Sequence, residues 1–243
     1  YVPTSIVASR ATISMTVQCL KTSDVYPSNV TLKKGAILQG GSFMWNILSD
    51  TTVSVDPTTG LATFSNIVVK QGTILNFAYT VNTFASQIYK IPSENCDIST
   101  LTVNVKATET STTSDLYNRV DTISNLSATS RVYFIHEGED MRYELKFGDD
   151  SIGRALSDGE VVTLEYLVTD GEPANDVNVF NFIGRLTDSL GRAYTGSSVT
   201  MTLDEKSGYG ENAETIESIK YNAPRYYSSQ YRAVTAQDYA IIT

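Results

Sequence analysis

The feature that most constrains this chain is how often it is punctuated. Through its first third, Pro27, Lys34-Gly35, Gly40-Gly41, Asp56-Pro57 with Gly60, and Gln71-Gly72 recur at short intervals. Each supplies the fixed or positive φ that a tight reversal requires. The segments between them are 12–20 (TISMTVQCL), 30–33 (VTLK), 43–48 (FMWNIL), 61–69 (LATFSNIVV) and 74–82 (ILNFAYTVN). They are too short to persist as helices and are rich in the β-branched and aromatic residues that suit a pleated surface. In the last of them Leu75, Phe77, Tyr79 and Val81 fall on one face, with Asn76, Ala78, Thr80 and Asn82 on the other. Trp45 reads as a core anchor rather than a ligand platform. The expected fold class is mainly β with a small α component (α+β): antiparallel, sandwich-like sheets followed by C-terminal helices.

A strand over 98–108 (ISTLTVNVKAT) runs into the Thr/Ser-rich stretch TETSTTSDLYNRV, a linker or surface loop. The expected organisation is an N-terminal antiparallel β domain over 1–110, a linker or loop over 111–130, a hairpin-rich β domain over 131–210 and a helical connector over 211–243. The clearest hairpin signal is RYELKFG, where Tyr143, Leu145 and Phe147 alternate with Arg142, Glu144 and Lys146, and GEVVTLEYLVTDG is the expected return strand. The connector GDDSIGRALSDG carries the turn residues Gly148, Asp149, Asp150 and Gly153, with positive φ expected at Gly148, Gly153 or Gly159. Near the end the period changes. ETIESIKY places Ile216 and Ile219 on one helical face, Pro224 is expected to end or interrupt that helix, and Thr235 with Asp238 reads as the capping box of a second. The ends at Tyr1 and Thr243 read as cuts in a longer polypeptide.

Several function classes are disfavoured by chemistry. A net charge of −9 without a Lys/Arg stripe argues against nucleic-acid partners, and no apolar run reaches membrane-spanning length. Cys19 and Cys96 lack metal-type spacing, so two half-buried thiols and a disulfide both fit them. His136 is the only histidine and sits in a strand-like context, so it reads as structural. Glu137, Glu139, Asp140, Asp149 and Asp150 lie beside turns and read as solvated loop charges rather than a glycosidase pair. DGEPAND lacks the alternating ligands of a calcium loop, and GYGENA lacks the setting of a phosphate loop. No enzyme activity, cofactor, metal or small-molecule substrate is expected. The cluster YYSSQY between Arg225 and Arg232 combines the residue types that anchor protein interfaces.

The segment IKYNAPRYYSSQYRAVTAQDY resembles baseplate wedge proteins of the T4 gene product six type, within the wider baseplate-J-like family. There an Ala-Pro and aromatic stretch runs into RAVT and then DY, matched here by Ala223-Pro224, Arg232 to Thr235 and Asp238-Tyr239. FGDDSIGRALSDGEVVTLEYLVTDG is similar to the family's FGDG-type hairpin, departing from it at Asp150, where glycine is common; VTLKKGAIL with FMWNILSDTTV is similar to its early strand pair. The resemblance implies a structural component of a contractile-tail baseplate wedge that scaffolds assembly and the baseplate's shape change. Its partners would be other copies of itself and other wedge proteins, its place the virion tail baseplate after synthesis in the host bacterial cytoplasm. Interface residues would be Pro224, Arg225, Tyr226, Tyr227, Tyr231, Arg232, Asp238 and Tyr239. The competing reading, from the Tyr- and Thr-rich strands, is a carbohydrate- or receptor-binding β module of a tail fibre or tailspike; a glycosidase is third.

Because no ligand set is legible, chelator treatment should leave the thermal midpoint of this chain unchanged; a drop of several degrees would reveal a metal site missed by this reading.

Overall fold

The structure, a computed structural model, describes residues 4–229 except 86, 122–125, 139 and 141. The first strands are β1 (Arg10–Gln18), β2 (Asn29–Leu32), β3 (Gly35–Gly40), β4 (Phe43–Ile47), β5 (Thr51–Ser54) and β6 (Leu61–Gln71). There follow β7 (Thr73–Thr80), β8 (Tyr89–Lys90), β9 (Cys96–Lys106), β10 (Asp115–Arg119), β11 (Val132–Glu137), β12 (Tyr143–Phe147) and β13 (Val161–Val168). Finally β14 (Asn181–Phe182), β15 (Leu186–Asp188), β16 (Ala193–Tyr194) and β17 (Val199–Gly208) lead to helix α1 (Ile216–Ser229). The chain is therefore mainly β with a C-terminal helix. Strands the punctuation did not isolate, such as β3 and β5, are short and flank the turns themselves.

The strands form two cores. A six-stranded sheet, in the order β14-β3-β4-β6-β1-β17, packs against a four-stranded sheet, β16-β15-β2-β5. The reason is visible in β1, where Ala11, Ile13, Met15 and Val17 are buried while Thr12, Ser14 and Thr16 face outward. Fully burying side chains of this size contributes roughly 1.5–3 kcal/mol each. Trp45 sits in this core, fully buried and edge-on to Phe180 at 5.2 Å. The second core lies inside a seven-stranded sheet, β7-β13-β9-β10-β11-β12-β8, that curls into a near-barrel. All its pairs are antiparallel except β10 with β11, which run parallel. Its edges β7 and β8 do not form a hydrogen-bonded ladder. Instead the Tyr79 hydroxyl donates to the Lys90 carbonyl at 2.7 Å and accepts from the Lys90 N–H at 3.2 Å.

This near-barrel is one continuous stretch, β7 to β13, set between strands of the first body. The strand pairing consequently crosses the boundaries expected from composition. β9 and β10, on either side of residue 110, pair with each other, and the strands of 131–210 divide between the two bodies. The expected hairpin is corrected in its partners. Tyr143 and Leu145 are buried and Phe147 packs against the same core, but β12 pairs with β11 and β8, whereas β13 pairs with β7 and β9. β13 buries side chains on both faces, with Val162, Leu164 and Tyr166 in the near-barrel and Val161 and Leu167 on the other side, where Thr163 and Glu165 stay partly exposed. A strand of that kind belongs in the middle of a sheet, not at a hairpin tip. Of the face shared by Leu75, Phe77, Tyr79 and Val81, the last two pack in the near-barrel core, while Leu75 and Phe77 are 38% and 40% exposed on β7 at the sheet edge.

Both crossings between the bodies lie side by side. Only Gly72 separates β6 from β7, with φ of 140°, and a Cβ there would fall 2.3 Å from the Val168 carbonyl oxygen. The buried Gln71 side chain accepts from the Thr169 hydroxyl at 2.6 Å and the Asp170 N–H at 3.0 Å, and donates to the Asp170 carboxylate at 2.6 Å. Asp97 of β9, wholly buried, accepts from the Ala8 N–H at 3.0 Å and from the Ser99 N–H and hydroxyl, with Lys70 at 3.6 Å.

Gly72→Ala should therefore lower stability more than Gly35→Ala. Both positions have positive φ, a strain on the order of 1–3 kcal/mol for a side chain, but nothing stands within 4 Å of a Cβ at Gly35. Equal denaturation midpoints for the two variants would show that the close approach at the crossing is unimportant.

Candidate interaction surface

The C-terminal helix begins where Thr215 caps it: its hydroxyl accepts from the Ser218 N–H at 3.2 Å, and its carbonyl accepts from the Ile219 N–H at 2.9 Å. Glu214, just before, is tied on two sides. Its N–H donates to the Thr4 carbonyl at 3.0 Å, while its carboxylate accepts from the Ser218 hydroxyl at 2.7 Å and the Asn222 amide at 3.1 Å. Partial burial pushes the Glu137 carboxyl above its ordinary pKa, and the Glu214 carboxylate adds to the shift. The base of α1 thus lies near the end of β11.

Beyond this base one face of the helix, with Ile219, Ala223 and Tyr226, is half-buried and the other is exposed. None of its described side chains is fully buried, and Ile216, Tyr221 and Tyr227 are more than half exposed. The Arg225 guanidinium stacks over the Tyr221 ring at 3.3 Å, and Tyr226 and Tyr227 meet edge-to-face with centroids 6.4 Å apart. Pro224 does not end the helix: α1 runs through it to Ser229. The residue lacks the N–H that would bond one turn back, and its ring sits on an exposed position where the chain has room to adjust. Of the interface residues expected from sequence, Pro224, Arg225, Tyr226 and Tyr227 therefore share one helix. Tyr231, Arg232, Asp238, Tyr239 and the helix expected from Thr235 lie outside the described residues.

The turn residues of the expected hairpin form a compact connector that carries the chain from β12 past three strands to β13. Asp149 accepts from the N–H groups of Ser151 and Ile152, both at 3.0 Å. Asp150 takes a left-handed φ of 64° and its carboxylate accepts from the Ala155 N–H at 2.8 Å, so an aspartate is held at a turn position that ordinarily favours glycine. Gly153 has φ of 82°, and a Cβ on Gly148 would fall 2.2 Å from the Gly153 backbone, so these two glycines are required by the turn and by a close approach respectively. Arg154 then donates to the Glu160 carboxylate and to the Tyr117 hydroxyl of β10. Sequence reading missed this clamp, because Arg154 and Glu160 sit in irregular chain with no period to link them.

The remaining reactive side chains are dispersed. His136 is half exposed on β11, its Nε2 3.2 Å from the Glu144 carboxylate, which also lies 3.4 Å from Lys90. Cys19 and Cys96 are both free thiols, buried in the two separate cores. Burial pushes Cys96 up to about 12, helped by Asp97, which leaves it a poor nucleophile. Tyr133 and Tyr143 are likewise held up to about 12 by burial. Among the described residues no three His, Cys, Asp or Glu side chains are grouped to hold a metal ion. A cleft of about 340 Å³ opens between β9 and β10, lined by Leu101, Leu116, Tyr117, Arg119 and Tyr133. Compared with protein-family models and with curated proteins, the chain matches none.

The Asp149 pKa is held below its ordinary 3.8, first by the Ile152 N–H and then by that of Ser151. A depressed folded pKa means the stabilisation is fully present above 3.8 and is lost as the pH falls through the folded value. Asp149→Ala should therefore melt below the wild type near neutral pH, and the gap should close in strongly acidic solution. A gap that stays constant with pH would assign the effect to packing instead.

Proposed function

We propose that this chain is a structural segment of a contractile-tail phage baseplate wedge, acting through protein contacts with other copies of itself and other wedge proteins. The observation that carries the reading is α1: a helix of 14 residues, within the segment that resembles the wedge family, turns Tyr221 and Tyr227 to solvent and has no fully buried described side chain. A helix of that length is marginal in water without packing, and Tyr with Arg are the residues that anchor interfaces. The reading assigns the chain to the virion tail baseplate, with no catalytic turnover, cofactor or small-molecule substrate.

A second reading rests on a different observation. Along the open seam of the near-barrel, Phe77, Tyr79, Tyr89 and Phe147 form a run of edge-to-face contacts with centroids 4.9, 5.6 and 5.2 Å apart. Phe77 is 40% exposed and Phe84, in the loop beyond, 91%. Half-exposed aromatic rings are a surface on which a sugar or receptor of a tail fibre or tailspike would stack.

A Tyr221→Asp, Tyr227→Asp double variant separates the two. Both side chains are exposed and lose only the local ring contacts with Arg225 and Tyr226, so the variant should melt within a few degrees of the wild type. Carried in the parent phage, it should yield tails without assembled baseplates in electron micrographs. Intact baseplates would overturn the wedge reading, and micromolar binding to a glycan array, lost on Phe77→Ala, would establish the second.

A further inference from the structure

The short extended segment before β1 has contacts out of proportion to its length. Ser5, Ile6, Ala8 and Ser9 are all buried, Ser9 completely. On one side the segment pairs with the chain leading into α1. The N–H of Val7 donates to the Glu211 carbonyl at 2.9 Å, the N–H of Glu211 returns to the Val7 carbonyl at 3.1 Å, and Thr4 exchanges backbone and carboxylate bonds with Glu214. On the other side it meets the near-barrel. The Ala8 N–H donates to the buried Asp97 carboxylate at 3.0 Å, and the Ser5 hydroxyl accepts from the Ile98 N–H at 3.3 Å. It also touches the crossing itself: the Ser9 carbonyl accepts from the Gln71 N–H at 2.8 Å. Room for it is made at Gly171, where a Cβ would stand 2.9 Å from Ile6 and 2.8 Å from the Glu211 carbonyl.

We infer that residues 4–9 form a strap that couples the seating of α1 to the junction between the two β bodies. The function of such a device rests on the docking role proposed for α1, but the coupling itself is a property of the chain alone. A partner that lifts or turns the helix pulls on Glu214 and Glu211, whose backbone groups are bonded to Thr4 and Val7 of the strap. The strap passes that displacement to Ala8, and Ala8 to Asp97. Because Asp97 is wholly buried, losing one of its donors is costly, and the contact resists partial disengagement. Coupling of this kind is reciprocal: loosening the junction must loosen the helix base.

Amide hydrogen exchange on the full chain tests both directions. In Asp97→Ala, the amides of Glu211, Glu214 and Ile219 should exchange at least tenfold faster than in the wild type, while those of β2 and β15, remote from the strap, keep their protection. In Glu214→Ala, at the opposite end, the Ala8 and Ile98 amides should accelerate likewise; this second variant serves if Asp97→Ala does not fold. The inference is overturned if Asp97→Ala frees the Ala8 amide while Glu211, Glu214 and Ile219 are unchanged, or if Glu214→Ala leaves Ala8 and Ile98 protected. Neither result depends on baseplate assembly, so failure here is distinguishable from failure of the wedge reading.

Discussion

Everything in this molecule hangs on the place where the chain twice passes between its two β bodies. There Gly72 lies against the Val168 carbonyl with no room for a Cβ, its N–H donates to Met44, and its own carbonyl accepts from the Asn46 amide at 2.6 Å. Gln71 satisfies the turn after β13 with its side chain while its backbone pairs with Trp45 of β4 and donates to Ser9 of the N-terminal strap. A buried amide and a buried carboxylate are tolerated here because nearly all their bonding capacity is used; either one left with an unmade bond would be strongly destabilising. The outcome is a stiff joint made of polar contacts between two apolar cores.

The two cores solve different problems. The first is a conventional pair of sheets, with strict alternation of buried and outward side chains in β1, and it closes around Trp45 and Phe64. The second has too few strand hydrogen bonds to close a barrel. Aromatic rings span its seam instead, from Phe77 through Tyr79 and Tyr89 to Phe147, with the Tyr79 hydroxyl bridging to the Lys90 backbone. An edge strand carrying exposed apolar side chains is usually blunted by charge or proline. β7 carries neither, so its protection comes from these rings and from the short β8 beyond them.

Against these rigid bodies α1 is the exception. Its cap, its Glu214 anchor and the Arg225–Tyr221 stack define its direction, yet it buries no side chain completely. Local interactions of this type contribute tenths of a kcal/mol to about 1 kcal/mol each.

Much of the local architecture was legible in the residues. Turn punctuation located most strands, alternation identified Tyr143 and Leu145 as buried, the helical period found the start of α1, and Trp45 read correctly as core. Of the proposed interface, Pro224 to Tyr227 was marked by residue type. Positive φ at Gly153 and Gly159 was foreseen from the connector's composition. Partner choice was not legible. β12 and β13 are adjacent in sequence and equally strand-like, but β13 buries Val161 and Leu167 on its second face as well as Val162, Leu164 and Tyr166 on the first, and it lies inside the sheet, between β7 and β9. The Asp97 lock, the Arg154–Glu160 clamp and the strap at residues 4–9 left no periodic trace, since each joins residues from irregular or distant chain. Periodicity is a local property set by backbone geometry and solvent, so a sequence states it openly. Which strand pairs with which, and which buried charge meets which donor, is decided only when distant segments compete for the same apolar surface and the same hydrogen bonds.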